Sequence, residues 1–207
     1  MDVPTLIRRV KRSFGDDGDV MLSNPQDYLD WANEAQMRIV RETNCLTGSV
    51  SRAANTFPLA YPADFLRLRR LVYGTVVLSE INIEDLDLKS FDTTVKDTPM
   101  YFYFINNTIA LYPTPVTSDT TVVTVQYSKQ PTTLTLTSDV LTVPTHYHDD
   151  IVNWILYRAH ERNENWQAAD HASQMFEKAF GFRTEDINQT EDSYPVIRDD
   201  PWEVGWM

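Results

Sequence analysis

The chain has 207 residues, 42% hydrophobic and 12% aromatic, enough for one large domain or one domain carrying an insertion. Its 30 carboxylate residues against 18 lysines and arginines give a net charge of −12, a poor balance for enveloping nucleic acid by neutralising phosphates. One cysteine, Cys45, excludes an intrachain disulfide; no apolar run approaches the ~20 residues of a membrane span, and the start MDVPTLIRRVKRSF lacks a signal-peptide core.

These features predict synthesis and folding in a reducing cytoplasm. The six glycines do not cluster, so neither a P-loop nor a dinucleotide fingerprint is present.

Residues 3–14 read as a short amphipathic helix. Pro4 suits the first turn, Leu6, Ile7, Val10 and Phe14 form one apolar stripe, and Gly15 ends it. The opposite face carries Arg8, Arg9, Lys11 and Arg12, and residues 1–12 sum to +3. That face is either solvated or a contact for an acidic partner. The loop 15–24 contains DDGD, but no ligand pattern completes a calcium site.

Asn24 then reads as an N-cap, with Pro25 at the first helical position and Asp27 in the first turn. The helix runs to about Glu42 with Tyr28, Ala32, Ala35 and Ile39 as its buried stripe, widened by Trp31 and Val40. From about 49 to 145 the period changes to that of strands. Leu66, Leu68 and Val72 alternate with Arg67 and Arg69, as in a half-buried strand, and Val76–Leu78 resumes it after Gly74. Residues 80–98 read as an acidic loop with a helical turn near 83–88.

Residues 99–115, PMYFYFINNTIALYPTP, form the clearest signal: a β-hairpin turning at Asn106-Asn107, a pair that tolerates positive φ. Met100, Phe102 and Phe104 alternate with Tyr101, Tyr103 and Ile105. Both faces are apolar or aromatic, which predicts cover on both sides. Residues 121–127 are a further strand with Val123, Val125 and Tyr127 on one face, and the Thr-rich stretch 132–142 reads as loop plus a short strand. Five or six strands result, mostly antiparallel.

Thr145 reads as the cap of a helix from His146 to about Asn163, with Ile151, Val152, Ile155 and Ala159 buried beside Trp154. Asn165 caps the next, in which Ala168, Ala172, Met175, Ala179 and Phe180 recur at helical spacing before Gly181. Residues 185–207 lose periodicity and carry seven carboxylates against Arg198, a net of −6, with Tyr194, Trp202 and Trp206 spread among them. Tryptophan is a common interface anchor, so this segment reads as a tail that orders on a partner.

The fold class that follows is α+β. A helical module (1–48 and 146–187) is built from N- and C-terminal helices, an antiparallel β-rich domain (49–145) is inserted in it, and an extended C-terminal tail (188–207) completes the chain. Catalytic chemistry is weakly signalled. His146-Tyr147-His148-Asp149-Asp150 resembles a metal cluster, but at a helix start i and i+2 diverge, and the carboxylates suit the helix dipole. His160 and His171 lack matching ligand spacing. There is no nucleophile elbow, Cys45 reads as a small packed residue, and the Glu84-Asp85 pair lies in a polar loop. The expectation is a protein without enzymatic activity, cofactor or metal.

Five pieces in order carry a family resemblance: DYLDWANEAQMRIVRET (27–43), YPADFLRLRRLVYG (61–74), PMYFYFINNTIALYPTP (99–115), VTVQYSKQPTTLT (124–136) and VPTHYHDDIVNWILYRAHERN (143–163). The ordered set, followed by an Ala-rich helix, resembles the head-to-tail adaptor (connector) proteins of short-tailed bacteriophages. That resemblance implies a structural virion protein at the head–tail junction, made in the host cytoplasm. It implies a homo-oligomeric ring, typically of twelve subunits, beneath the portal protein. Such a ring extends the DNA channel, passes double-stranded DNA without binding it specifically, and presents a platform for a tail or nozzle protein, with no membrane partner and no catalytic motif. The partner-contact residues that follow from the sequence are Arg8, Arg9, Lys11, Arg12, Tyr194, Trp202 and Trp206. The alternative reading is a tail-associated module that binds a glycan or other receptor through Tyr101, Tyr103 and exposed tryptophans.

Overall fold

The computed structural model describes residues 1–15, 24–84, 95–136 and 138–178. Among the described residues the fold is α+β, with four helices longer than one turn and two sheets in which antiparallel pairing predominates. In chain order these are α1 (Val3–Phe14), α2 (Pro25–Thr43), β1 (Thr47–Ala53), β2 (Leu59–Ala60), β3 (Phe65–Tyr73), β4 (Val76–Val77), β5 (Ser79–Glu80), β6 (Tyr101–Ile105), β7 (Thr108–Tyr112), β8 (Val122–Lys129), α3 (His148–Arg162) and a final helix whose described residues are 166–178.

The helix ends obey their local chemistry. The Asn24 side chain accepts from the Gln26 N–H at 3.1 Å, and Asn44 closes α2 in the left-handed conformation at φ 50°. Gly15, at φ 79°, closes α1 by donating to the Lys11 carbonyl. Asn165 caps the final helix through its side-chain oxygen and the Ala168 N–H, as expected. Thr145 does not cap α3. It opens a 3-10 turn (Thr145–Tyr147), and the α-helix begins only at His148.

One core gathers Val3, Leu6 and Val10 of α1, Ala32, Ala35 and Ile39 of α2, Ile151, Ile155 and Ala159 of α3, and Phe176 of the final helix. Ile7, Phe14 and Trp31 are only half-buried at its margin. On the final helix the buried stripe is Ala169, Ala172 and Phe176, while Met175 is 47% exposed and Ala168 lies at the margin. The expected stripe is therefore rotated by one position on either side of Ala172. Phe176 sets the phase, because its ring inserts beside Trp154, with centroids 5.0 Å apart. Ala179 and Phe180 lie outside the described residues.

A second core belongs to the sheets. One has the order β1-β8-β3-β4 and the other β2-β7-β6-β5, with β5 pairing parallel to β6. Val123, Val125 and Tyr127 face this core from β8, as the alternation required. The β6–β7 hairpin turns at Asn106 (φ 46°) and Asn107 (φ 59°), the turn its Asn-Asn pair favours. Its Phe102, Ile109 and Leu111 are buried. The expected cover on both faces is present along β7, where Ile109 and Leu111 are buried on one face and Ala110 and Tyr112 on the other, and is only partial along β6. Tyr101 and Tyr103 are half-buried, and Met100 is 63% exposed because it precedes the paired register and escapes the core.

Partners distant in sequence decide two segments that the sequence pattern left open or misassigned. β1 (TGSVSRA) is a full strand that its polar composition concealed. The Thr-rich segment forms no strand among the described residues, only an isolated antiparallel bridge between Val140 and Asp2. Asn33 of α2 bonds Leu134 in both directions (2.8 and 3.0 Å) and Gln36 accepts from the Thr142 N–H at 2.9 Å, so α2 side chains, with the backbone of residues 1–3, satisfy its backbone in place of a longer ladder. The helical turn expected near 83–88 is seen at Ile83 and Glu84, and its remainder lies outside the described residues.

Candidate assembly interface

The basic face of α1 is committed in part within the chain. Arg9 lies 2.8 Å from Asp149 of α3, Arg8 donates to the Thr5 hydroxyl at 3.3 Å, and the Lys11 ammonium sits 5.9 Å over the Tyr28 ring. Arg12 is exposed and has no partner among the described residues. Arg8, whose partner is a neutral hydroxyl, and Arg12 both remain open to an outside carboxylate. Tyr194, Trp202 and Trp206 lie outside the described residues, as does the DDGD segment.

Other helical arginines pair across helices. Arg38 of α2 meets Glu177 of the final helix and stands 4.8 and 5.2 Å from the Trp154 and Phe176 ring centres. Arg158 Nε lies 3.3 Å from Glu34 of α2, and its Nη1 donates to Glu161 at 2.7 Å. Arg162 pairs with Asp27 at the start of α2.

The sheet arginines behave differently. Register shifts in β3 between Phe65 and Arg67, and again between Leu68 and Arg70, mark two bulges. Each bulge resets the alternation. Leu66 packs on the helical core and Leu68 on the sheet core, and Leu71, not Val72, becomes the fully buried residue. Arg67, Arg69 and Arg70 all end exposed. None of the three has an ion pair or hydrogen bond among the described residues. A polar recess of about 310 Å³ lies there, lined by Asn44, Arg67, Leu68, Arg69 and Ser128. Sequence reasoning passed over Ser128, which looks like a routine strand serine; its full burial was the missing signal.

The histidine cluster is structural. His148 is buried, its Nε2 donating to the Val143 carbonyl at 3.1 Å and its Nδ1 accepting from the Met1 amine at 3.2 Å in the neutral tautomer. Burial pushes its pKa down, against the opposing pull of the Val143 carbonyl. His146 is exposed and lies tilted against the Tyr147 ring, with centroids 4.1 Å apart. Among the described residues no group of three or more His, Cys, Asp and Glu could hold a metal ion, and no helix is long and apolar enough to cross a membrane. Cys45 is half-buried beside the helical core, and burial raises its thiol pKa. His160 borders a larger groove of about 650 Å³ between the end of α1, α3 and the final helix, and burial lowers its pKa.

The sequence matches the family model described as SU10 adaptor protein over residues 1–199. The chain belongs to the SU10 adaptor protein family. The match takes in both sheets and all four helices, so the arginine recess and the helical core lie within the SU10 adaptor pattern. It bears out the resemblance to phage head-to-tail adaptors, and at the level of the family this SU10 adaptor is a bacteriophage adaptor protein. A search of curated proteins finds no match.

Proposed function

We propose that this SU10 adaptor is a structural, non-enzymatic virion protein that forms a homo-oligomeric ring beneath the portal. The ring extends the DNA channel and offers a platform to the tail or nozzle. The family match over residues 1–199 carries this reading.

Two physical features support it. The helical core and the sheet core are separate clusters, which gives one subunit two surfaces for two neighbours. A chain with net charge −12 repels a passing duplex and so avoids sticking to it. In this reading residues 1–48 and 146–187 form the helical module, 49–145 the inserted β-domain, and 188–207 a tail that docks on the portal. The glycan-binding alternative finds less support, because Tyr101 and Tyr103 are half-buried and pair across the hairpin with Tyr112 and Ala110.

The test is genetic. Phage deprived of this chain should accumulate DNA-packaging heads without tails. Fully tailed, infectious particles from such a knockout would overturn the reading.

A further inference from the structure

The outer face of the β1-β8-β3 sheet is built in cross-strand rows. Thr47, Ser128 and Arg67 form one row, Ser49, Gln126 and Arg70 the next, and the bulge residue Arg69 projects between them. These rows contain no carboxylate, in a chain with 30 of them. The Ser128 hydroxyl is the second, independent observation. Ser128 is 0% exposed, its Oγ has no hydrogen-bond partner, and it lines the same recess as Arg67 and Arg69. A buried hydroxyl left without a partner costs free energy that a bound acceptor would recover.

We propose that Arg67, Arg69 and Ser128 form a binding site for a side-chain carboxylate on an acidic segment of a protein partner. Guanidinium groups present paired N–H donors that match a carboxylate, and the serine O–H supplies one more. The recess, about 310 Å³, holds a side chain rather than a fold. It is lined from β3, β8 and Asn44, and a second recess that shares Arg69 extends over Thr47, Gly48 and Ser49 of β1, the sheet's outer strand, which pairs only with β8 among the described residues. An extended segment entering along β1 meets unpaired backbone groups there.

Phosphates of nucleic acid are the competing ligand, and the face suits them less. The rows offer no aromatic ring for a base to stack on, and the net charge of −12 opposes a long polyanion more than a short acidic segment. This inference stands independently of the ring and portal reading.

The experiment uses the full chain and a fluorescently labelled hexaglutamate peptide, followed by anisotropy at low salt, with a short DNA duplex as competitor. The expected result is saturable peptide binding that weakens about tenfold or more in Arg67→Ala/Arg69→Ala. Arg67→Lys/Arg69→Lys should also weaken it, since an ammonium keeps the charge but lacks the fork. Ser128→Ala should lower affinity several-fold while leaving the melting temperature unchanged or higher, since an unpartnered buried hydroxyl is removed, and this separates binding from folding. Absent binding, or binding indifferent to these variants, overturns the proposal. A duplex that outcompetes the peptide through the same arginines reassigns the face to nucleic acid.

Discussion

Arginine does different work in the two halves of this molecule. Arg9, Arg38, Arg158 and Arg162 each lie against a carboxylate on a neighbouring helix, so their charge is consumed in joining helices. Arg67, Arg69 and Arg70 face outward from a sheet whose rows hold no carboxylate, and their charge is left over. In an acidic protein the second arrangement is the unusual one. The helical half reads as self-sufficient packing, and the sheet half as a surface whose electrostatic partner is another molecule.

The comparison breaks most severely if the helical core is not the stable half. Ala172→Glu would force a carboxylate into the packing of the final helix against α3, where Ala172 is 8% exposed and lines a groove with Leu156 and His160. A loss of about 3 kcal/mol or more is expected, read as a large drop in melting temperature by circular dichroism. Wild-type melting would show that the final helix is not part of that core.

On the sheet side the tightest point is Gly48, where an added Cβ would lie 2.6 Å from the Tyr127 ring. That ring is also tied down by its hydroxyl, which donates to Asp64 at 2.9 Å, so it cannot yield cheaply. Gly48→Ala should cost about 2 kcal/mol in urea unfolding. A neutral result would mean that the ring is free to move and that β1 is less constrained than its register implies.

The helical half also carries a pH signature. Burial lowers the His148 pKa in the folded state below its ordinary value near 6.5. Its contribution to stability is thus fully present above that pH and is lost as pH falls through the lowered folded value. Urea unfolding from about pH 7.5 to 5 should show this decline, and His148→Gln should flatten the slope. An unchanged slope in the variant would assign the pH dependence elsewhere.

The smallest effect sharpens the contrast most directly. Arg158→Ala, which removes the Glu34 and Glu161 contacts, should cost up to about 1 kcal/mol, whereas Arg67→Ala should change stability by roughly zero. Equal losses at the two positions would erase the distinction between the halves.

Much of this was legible in the sequence where a strong local signal coincided with burial. The caps at Asn24 and Asn165, the Asn106-Asn107 turn and the Val123-Val125-Tyr127 alternation all appear where the residues require them. What escaped depends on partners distant in sequence. β1 is polar and exists because β8 pairs with it along seven residues. The bulges of β3 are visible only against that same neighbour, yet they decide that Leu71 is buried and that Arg67 and Arg69 share a recess. The segment 134–142 has strand propensity, but Asn33 and Gln36, about a hundred residues earlier, claim its backbone. That Arg9 of α1 pairs within the chain, with Asp149 of α3, was likewise not legible, because that carboxylate lies 140 residues further on.

The central claim, that this SU10 adaptor works as a ring on a portal, is tested most directly by weighing particles. Mass photometry of the chain alone and mixed with the portal protein of the same phage should show the portal gaining mass in multiples of the 23.9 kDa subunit, up to a closed ring. A chain whose mass distribution ignores the portal at every concentration would contradict the account.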